Sequence, residues 1–373
     1  MFNFPGIIDE VIWFIIGLIC LVKGGDWFVD GSCGIARRFH MPEILIGATV
    51  VSIGTTIPEV MVSSTAALTA GASDMAYGNA IGSIICNTAL VAAVTMAFRP
   101  APVEKKALKM PVAFFFGAAA LYIAVAYATG FFSRVVGIIL LAIFVSYMIM
   151  CVKQAILSKK ENEIIGLTES PVDPDASRMT DEYIENVLNK VGEEDEPADD
   201  TDEKTSKSVA KKPENGNKDL IMNIGRLILG AAVIAIGANL LVDNGTLIAE
   251  AAGVPKSVIA LTFVALGTSL PELVTAITSL VKGHSDLSLG NVIGANLFNL
   301  VLVSGLAVTL APFHIPVEKT IAGINASLVV DIPVMVAVML IMCLPALIKG
   351  RIYRAQGFAL LGIYAGYVIF QFA

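Results

Sequence analysis

Glu59 and Glu272 each close a Gly-Thr-x-x-Pro-Glu motif, at residues 54–59 and 267–272, and each falls about midway along a long apolar stretch. A charged side chain at the centre of a membrane helix costs about 2.5–3.5 kcal/mol on insertion scales, so two unpaired glutamates would be a serious liability. The basic residues inside apolar stretches, such as Lys23 and Arg226, lie toward their ends, which makes a salt bridge at mid-membrane hard to build. A bound cation or a proton is the remaining partner. The neighbouring residues suit a cation. Pro58 and Pro271 lack a backbone N–H and clash with the carbonyl four residues earlier, which frees the carbonyls of Gly54 and Gly267 and predicts a kink or unwinding at both places. The hydroxyls of Thr55, Thr56, Thr268 and Ser269 add oxygens beside the carboxylates, and the following apolar stretches contribute the amides of Asn87 and Asn299. Such an all-oxygen set suits a hard cation, and Ca2+ takes about 6 to 8 oxygens. Two glutamates neutralise one Ca2+; they would equally hold Na+, in a site that gives up one kind of ion before taking the other.

The elements that must position these groups are membrane helices. The chain is 56% hydrophobic and 15% charged, well below the roughly 25% charge of a soluble domain. Ten apolar stretches are long enough to span, at 9–29, 43–69, 74–98, 107–128, 133–155, 221–242, 256–281, 286–311, 321–347 and 353–372, since about 20 helical residues cross a bilayer core. The first lacks an A-x-A-like cleavage site and is read as a retained helix. Five cysteines are scattered without C-x-x-C spacing and indicate neither a disulfide framework nor a zinc site.

The chain repeats itself. Residues 24–59 match 237–272 at 13 of 36 positions, and residues 71–90 match 283–302 at 9 of 20, including Asp30 with Asp243, Pro42 with Pro255, Asp74 with Asp286, and Asn79 with Asn291. Gly78, Gly82, Gly290 and Gly294 recur in register and predict close helix approach. Because each half has five spans, the second enters the membrane from the opposite face. The fold class expected is therefore an all-α membrane protein of ten transmembrane helices in two inverted five-helix repeats, the arrangement whose sites lie near the midplane between the halves.

Between the repeats, residues 161–217 hold 17 of the 32 acidic side chains against 6 Lys or Arg. That segment cannot bury enough apolar surface to order itself, so the division expected is 1–158 first repeat, 159–218 acidic linker and 219–373 second repeat. Within the linker, only Tyr183 to Leu188 has the pattern of a short helix, and no D-x-[DN]-x-[DN]-G loop of the EF-hand kind occurs. Most Lys and Arg fall in alternate loops, at 37–38, 99–109, 153–160, 282 and 349–354. Cytoplasmic loops carry that excess, which predicts both termini outside, the linker in the cytoplasm and a plasma (inner) membrane location.

G-T-T-I-P-E at 54–59 with G-N-A-I-G-S-I-I-C-N at 78–87, and G-T-S-L-P-E at 267–272 with G-N-V-I-G-A-N-L-F-N at 290–299, resemble the alpha repeats of the sodium/calcium exchanger family, within the cation/Ca2+ antiporter superfamily and of prokaryotic type. The resemblance covers nearly the whole chain. It implies an antiporter that exchanges Na+ for Ca2+ by alternating access, with spans 1 and 6 sliding against the rest and three Na+ moving per Ca2+. It also implies a ligand set: Glu59 and Glu272 as the main Ca2+ ligands, Thr55, Thr56, Thr268 and Ser269 as Na+ or Ca2+ ligands, the backbone carbonyls of Ser52 and Ala265, and Ser83 and Asn87 in the first repeat. The second repeat departs from the pattern, with Asn299 where many relatives have Asp and Ala295 where Ser is expected. One charge and one hydroxyl fewer bear on Na+ stoichiometry, K+ dependence and proton competition.

Three rivals follow from the same residues. A Ca2+/H+ or other monovalent-coupled antiporter would use the same carboxylates. A cation channel would also use midplane acids, but paired helix breaks favour a carrier. An intramembrane enzyme would need a nucleophile or base, and no G-x-S-x-G, no H-E-x-x-H and no histidine within a span occurs. Ca2+, Na+ and membrane lipid are the expected partners, with no cofactor and no nucleic acid; the residues point to no protein partner. Asp74 and Asp286 are expected to cap spans 3 and 8, Asp30 and Asp243 to serve structure beside loop Arg, and His40, His284 and His314 to be solvated.

Overall fold

The computed structural model describes residues 4–39, 41–69, 73–168, 216–251, 267–317 and 320–372. Ten helices run through them: α1 (Phe4–Phe39), α2 (Glu43–Leu68), α3 (Met75–Phe98), α4 (Lys105–Ala128), α5 (Arg134–Thr168), α6 (Gly216–Ala251), α7 (Leu270–Val281), α8 (Ser285–Leu310), α9 (Ser327–Lys349) and α10 (Arg354–Phe372). They follow the ten expected stretches in order, and eight are long and apolar enough to cross a membrane. In the seventh stretch the helix described is the 12-residue α7, because residues 252–266 lie outside the described set, as does most of the linker with its Tyr183–Leu188 segment. The chain is an all-α integral membrane protein.

Burial separates the helices into two groups. In α8 and α3, 83% and 78% of the span is buried, against 28% in α1 and 17% in α6. α3 and α8 carry buried polar side chains, Ser83, Asn87 and Thr88 on one and Asn291, Asn296 and Asn299 on the other, which need protein rather than lipid around them, whereas Trp13, Ile19, Ile228 and Ile236 on α1 and α6 are exposed large side chains that suit contact with lipid tails. α1 and α6 pack along one another antiparallel, Gly24 meeting Gly230 and Gly17 meeting Gly237.

The core is organised by the crossing of α2 over α8. A Cβ placed on Gly290 would strike the carbonyl oxygen of Ile44, and one on Gly294 would lie 2.5 Å from Ala48 Cα. Here the glycines do what their register predicts. Gly78 and Gly82, their counterparts in the first repeat, meet no described atom within 4 Å.

The two repeats reciprocate across the molecule. The α3–α4 loop pairs with the α9–α10 loop, where Val103 N–H donates to Gly350 O (2.9 Å) and Ile352 N–H to Ala101 O (3.1 Å). At the opposite end the α8–α9 loop pairs with the α4–α5 loop through two short strands, β1 (Phe131–Phe132) and β2 (Phe313–His314), and Ile315 N–H donates to Gly130 O (2.9 Å). Gly130 and Gly350 hold the same place in these connections with φ of 63° and 64°, a left-handed backbone that glycine adopts without steric cost. Likewise α5 packs its Gly137 on Gly305 and Thr309 of α8, while α10 packs Gly357 on Ala93 and Ala97 of α3. Each repeat thus lends its last helix to the other.

Candidate cation site

Glu59 on α2 and Glu272 in the first turn of α7 are both 0% exposed. Their helices touch, and the Glu272 carboxylate is the charge that acts on Glu59. Thr55 faces the Glu272 side chain, yet among the described residues none of the four carboxylate oxygens has a hydrogen-bond partner. Nor do Thr56 Oγ1 or the side-chain nitrogen and oxygen of either Asn87 or Asn299, all fully buried. Leaving one buried polar group unmade costs about 1–3 kcal/mol, more for a charged one. Two buried acids accompanied by unpartnered hydroxyl and amide groups offer the donor types of a hard-cation site.

Backbone irregularity positions these groups, but only partly where the prolines predict it. Pro271 lies in the first turn of α7, and the chain immediately before it, Thr268–Ser269, is a turn; proline is tolerated there because the first N–H groups of a helix have no partner anyway. Pro58, by contrast, sits inside an unbroken α-helical stretch, Ser52–Leu68, so the expected unwinding at that point does not occur. The irregularity in α2 falls about two to three turns earlier, as a π-helical segment at Gly47–Val51. Two more π segments begin at the paired asparagines, Asn87–Ala92 and Asn299–Val303. π-helical turns are rare and gather at functional sites, and each carbonyl they leave unpaired needs a donor. Ser52 Oγ donates to Gly47 O (2.7 Å), Tyr147 Oη to Ala48 O (2.8 Å) and Ser304 Oγ to Asn299 O (3.1 Å).

The structure places several of the expected residues. The π turn of Asn87 packs on α7 and α8, and the preceding Cys86 lies within electrostatic reach of both glutamates. Thr55 Oγ1 meets the Ser52 carbonyl at 3.5 Å. Ser83, Thr268 and Ser269 line one wall of a cavity of about 400 Å3, together with Asn79, Tyr364 and Gln371. Ala265 lies outside the described residues. Sequence reasoning passed over Asn291, which is fully buried and accepts from Ser52 Oγ (3.3 Å) and Thr55 Oγ1 (3.4 Å) through Oδ1. It also passed over Asn79, whose Nδ2 donates to Glu59 O (3.2 Å) and Ser63 Oγ (2.8 Å), and Asn296, which donates to Thr88 Oγ1 (2.7 Å). The repeated Gly-Asn pairs at 78–79 and 290–291 were the available signal.

The α1/α6 pair meets this core along α2 and α7, the helices that carry the glutamates. A cavity of about 490 Å3 separates them, lined by Phe28, Ile53, Pro58, Leu227, Ala231 and Pro271 among others, nearly all apolar and so without directional bonds. Polar ties gather at the end of the bundle that carries the basic loops. Lys282, past the end of α7, binds Asp30 Oδ1 (2.7 Å) and Asp26 Oδ1 (3.3 Å) of α1, so the partner of Asp30 is a lysine rather than the expected arginine. His284, expected to be solvated, is paired with Glu43 at 2.7 Å. Asp286 makes no cap: His284 takes the N-cap position of α8 without a side-chain bond, and Asp286 Oδ1 is unpartnered.

Inverted repeats that meet at buried, unpartnered carboxylates have the architecture of a secondary transporter. The chain belongs to the sodium/calcium exchanger family, whose description, Sodium/calcium exchanger protein, matches residues 10–153 and 222–373. Sodium/calcium exchanger MaX1 of Methanosarcina acetivorans is 31% identical over 96% of this chain and 97% of its own. Inner membrane protein YrbG of Escherichia coli is 32% identical over 81% and 80%. A solved structure of the sodium-calcium exchanger NCX_Mj soaked with Na+ and Sr2+ superposes with a TM-score of 0.70 at 28% identity, covering 97% of this chain and 99% of that one.

Proposed function

We propose that the protein is an antiporter that exchanges Na+ for Ca2+ across the membrane by alternating access, and that it is not an enzyme. The observation that carries this reading is the pair of fully buried glutamates, one from each repeat, whose four oxygens have no hydrogen-bond partner among the described residues. Glu59 and Glu272 ligate Ca2+, aided by Thr55, Thr56, Thr268, Ser269 and the amides of Asn87 and Asn299. Ser83 and the carbonyls of Ser52 and Ala265 complete the positions used by Na+. Two carboxylates match one Ca2+ in charge, so the loaded site is neutral in a region where net charge is expensive. The same two charges bind Na+ in turn, and each ion's departure makes room for the other.

In this reading α1 and α6 slide as one unit over α2 and α7, since their shared face is apolar, and expose the site to one side at a time. The polar ties of Lys282 and His284 close the end that bears the basic loops, which we assign to the cytoplasm together with the linker at 159–218. The repeats at 1–158 and 219–373 then leave both termini outside.

Exchange of three Na+ for one Ca2+ moves one net charge, coupling transport to voltage by about 2.3 kcal/mol per 100 mV. Calcium-45 uptake into proteoliposomes tests the function. Uptake is expected to require an outward Na+ gradient and to respond to an imposed potential; uptake that ignores Na+ and follows a pH gradient means Ca2+/H+ exchange, the reading that Asn299 in place of a carboxylate leaves nearest. Asn291→Ala removes the amide that steadies Ser52 and Thr55. It is expected to weaken Ca2+ binding by about tenfold, one lost hydrogen bond to a ligand group costing about 1–1.5 kcal/mol, as read by Ca2+ titration of the purified protein.

A further inference from the structure

Cys33 on α1, Glu43 at the start of α2 and His284 at the start of α8 each offer one metal-ligating atom, and all three atoms lie within 4.8 Å of one another. No other trio of His, Cys, Asp or Glu converges in this way among the described residues. The group sits with the Lys282 pair at the end of the bundle tied shut, well away from Glu59 and Glu272 along the helices. Cys33 is buried, while the side chains of Glu43 and His284 are 35% and 27% exposed, which gives an ion a way in. The His284–Glu43 contact of 2.7 Å already holds the imidazole against the carboxylate. The spacing of the three residues in sequence hides the cluster completely, because each comes from a different element.

We propose that Cys33, Glu43 and His284 form a second metal site, for a divalent ion of the Zn2+ type, and that its occupancy clamps α1 to the core and inhibits transport. One thiolate, one imidazole and one carboxylate are the ligand types Zn2+ takes, at about 2.0–2.3 Å with a fourth position left to water; closing the trio onto an ion takes a shift of roughly 1 Å. On binding Zn2+, His284 and Glu43 exchange their mutual contact for bonds to the ion, and the Cys33 thiol proton leaves to solvent. Ca2+ is excluded by chemistry, since it prefers an all-oxygen shell of higher coordination number. The molecule thus carries two sites of opposite ligand character, one for the transported ion and one for an ion that stops it. The clamp follows from placement: Cys33 rides on the sliding unit and the other two ligands on the core, so a filled site fixes one end of the slide. That half rests on the alternating access proposed above; the binding half does not.

Co2+ serves as the probe for the binding half, because a thiolate ligand gives Co2+ a charge-transfer absorption that oxygen ligands do not. Purified full-length protein in detergent is expected to show this band at one equivalent of Co2+, lost on adding Zn2+, unchanged by excess Ca2+, and absent in Cys33→Ser. A folded wild-type protein without the band overturns the site, whether or not the protein transports Ca2+. For the clamp, Zn2+ is added to proteoliposomes during Na+-driven Ca2+ uptake. Half-inhibition is expected to need at least about tenfold more Zn2+ in Cys33→Ser and in His284→Ala, the scale on which a ligand's environment sets metal affinity. Equal Zn2+ sensitivity in wild type and both variants overturns the clamp.

Discussion

Glu59→Gln and Glu272→Gln are each expected to abolish Na+-dependent Ca2+ uptake while leaving the protein folded. Each carboxylate supplies half of the charge that balances Ca2+ in a fully buried site, and an amide of the same size leaves one positive charge uncompensated. Removing one partner of a buried charge pair costs about 3–5 kcal/mol, which at 1.4 kcal/mol per tenfold is roughly two to three and a half orders of magnitude in affinity. The ion-free protein behaves differently. There the two carboxylates act on each other, and among the described residues no hydrogen-bond partner is seated on their oxygens, so a neutral glutamine relieves repulsion and stability without Ca2+ is unchanged or higher. Thermal unfolding separates the two effects. Wild type gains about 4 kcal/mol when Ca2+ is a thousandfold above its dissociation constant, and at the same Ca2+ concentration each variant gains no more than about 1.4 kcal/mol. Variants that unfold in the absence of Ca2+ would assign the glutamates to structure instead.

The second large effect lies in the scaffold. Gly290→Val is expected to prevent assembly, because its first added carbon meets the Ile44 carbonyl oxygen, and backbone cannot move aside as a flexible side chain can. Forcing extra carbons into a packed core costs about 1–3 kcal/mol when side chains can adjust, and at this crossing α2 and α8 must separate, which carries Ser52 and Thr55 away from Asn291. Loss of the monodisperse peak in size-exclusion chromatography is the readout. Gly366→Ala is the control: a Cβ there meets nothing within 4 Å, and alanine in place of a helical glycine is neutral or favourable by up to about 1 kcal/mol. Equal behaviour of the two variants would mean that α2 and α8 do not cross at Gly290.

The helices were legible in the chain because membrane spans leave a long, uninterrupted signal, and the pairing of the motifs was legible because Pro, Glu, Asp and Asn repeat in register where apolar letters alone would not discriminate. Composition could not reveal the backbone. Pro58 reads as a helix breaker, but α2 stays α-helical through it and loosens instead at Gly47–Val51, where no residue type advertises a π turn and the compensating donors, Ser52 and Tyr147, come from five and 99 residues away. The same holds for contacts between repeats. That Gly130 and Gly350 occupy matching turns, or that Asn291 steadies the first repeat's Thr55, depends on which loop meets which across the molecule, and no local pattern encodes it. His284 was misjudged for that reason, since its partner Glu43 lies 241 residues away.

A crystal of the protein soaked in Sr2+, a Ca2+ stand-in with a strong anomalous signal, tests directly whether the two repeats share one ion. The account predicts a single peak between α2 and α7 with oxygens of both Glu59 and Glu272 within bonding distance, about 2.3–2.6 Å for Ca2+ and slightly longer for the larger ion. A peak held by only one of the two carboxylates, or no peak between them while the crystal binds Sr2+ elsewhere, would contradict it.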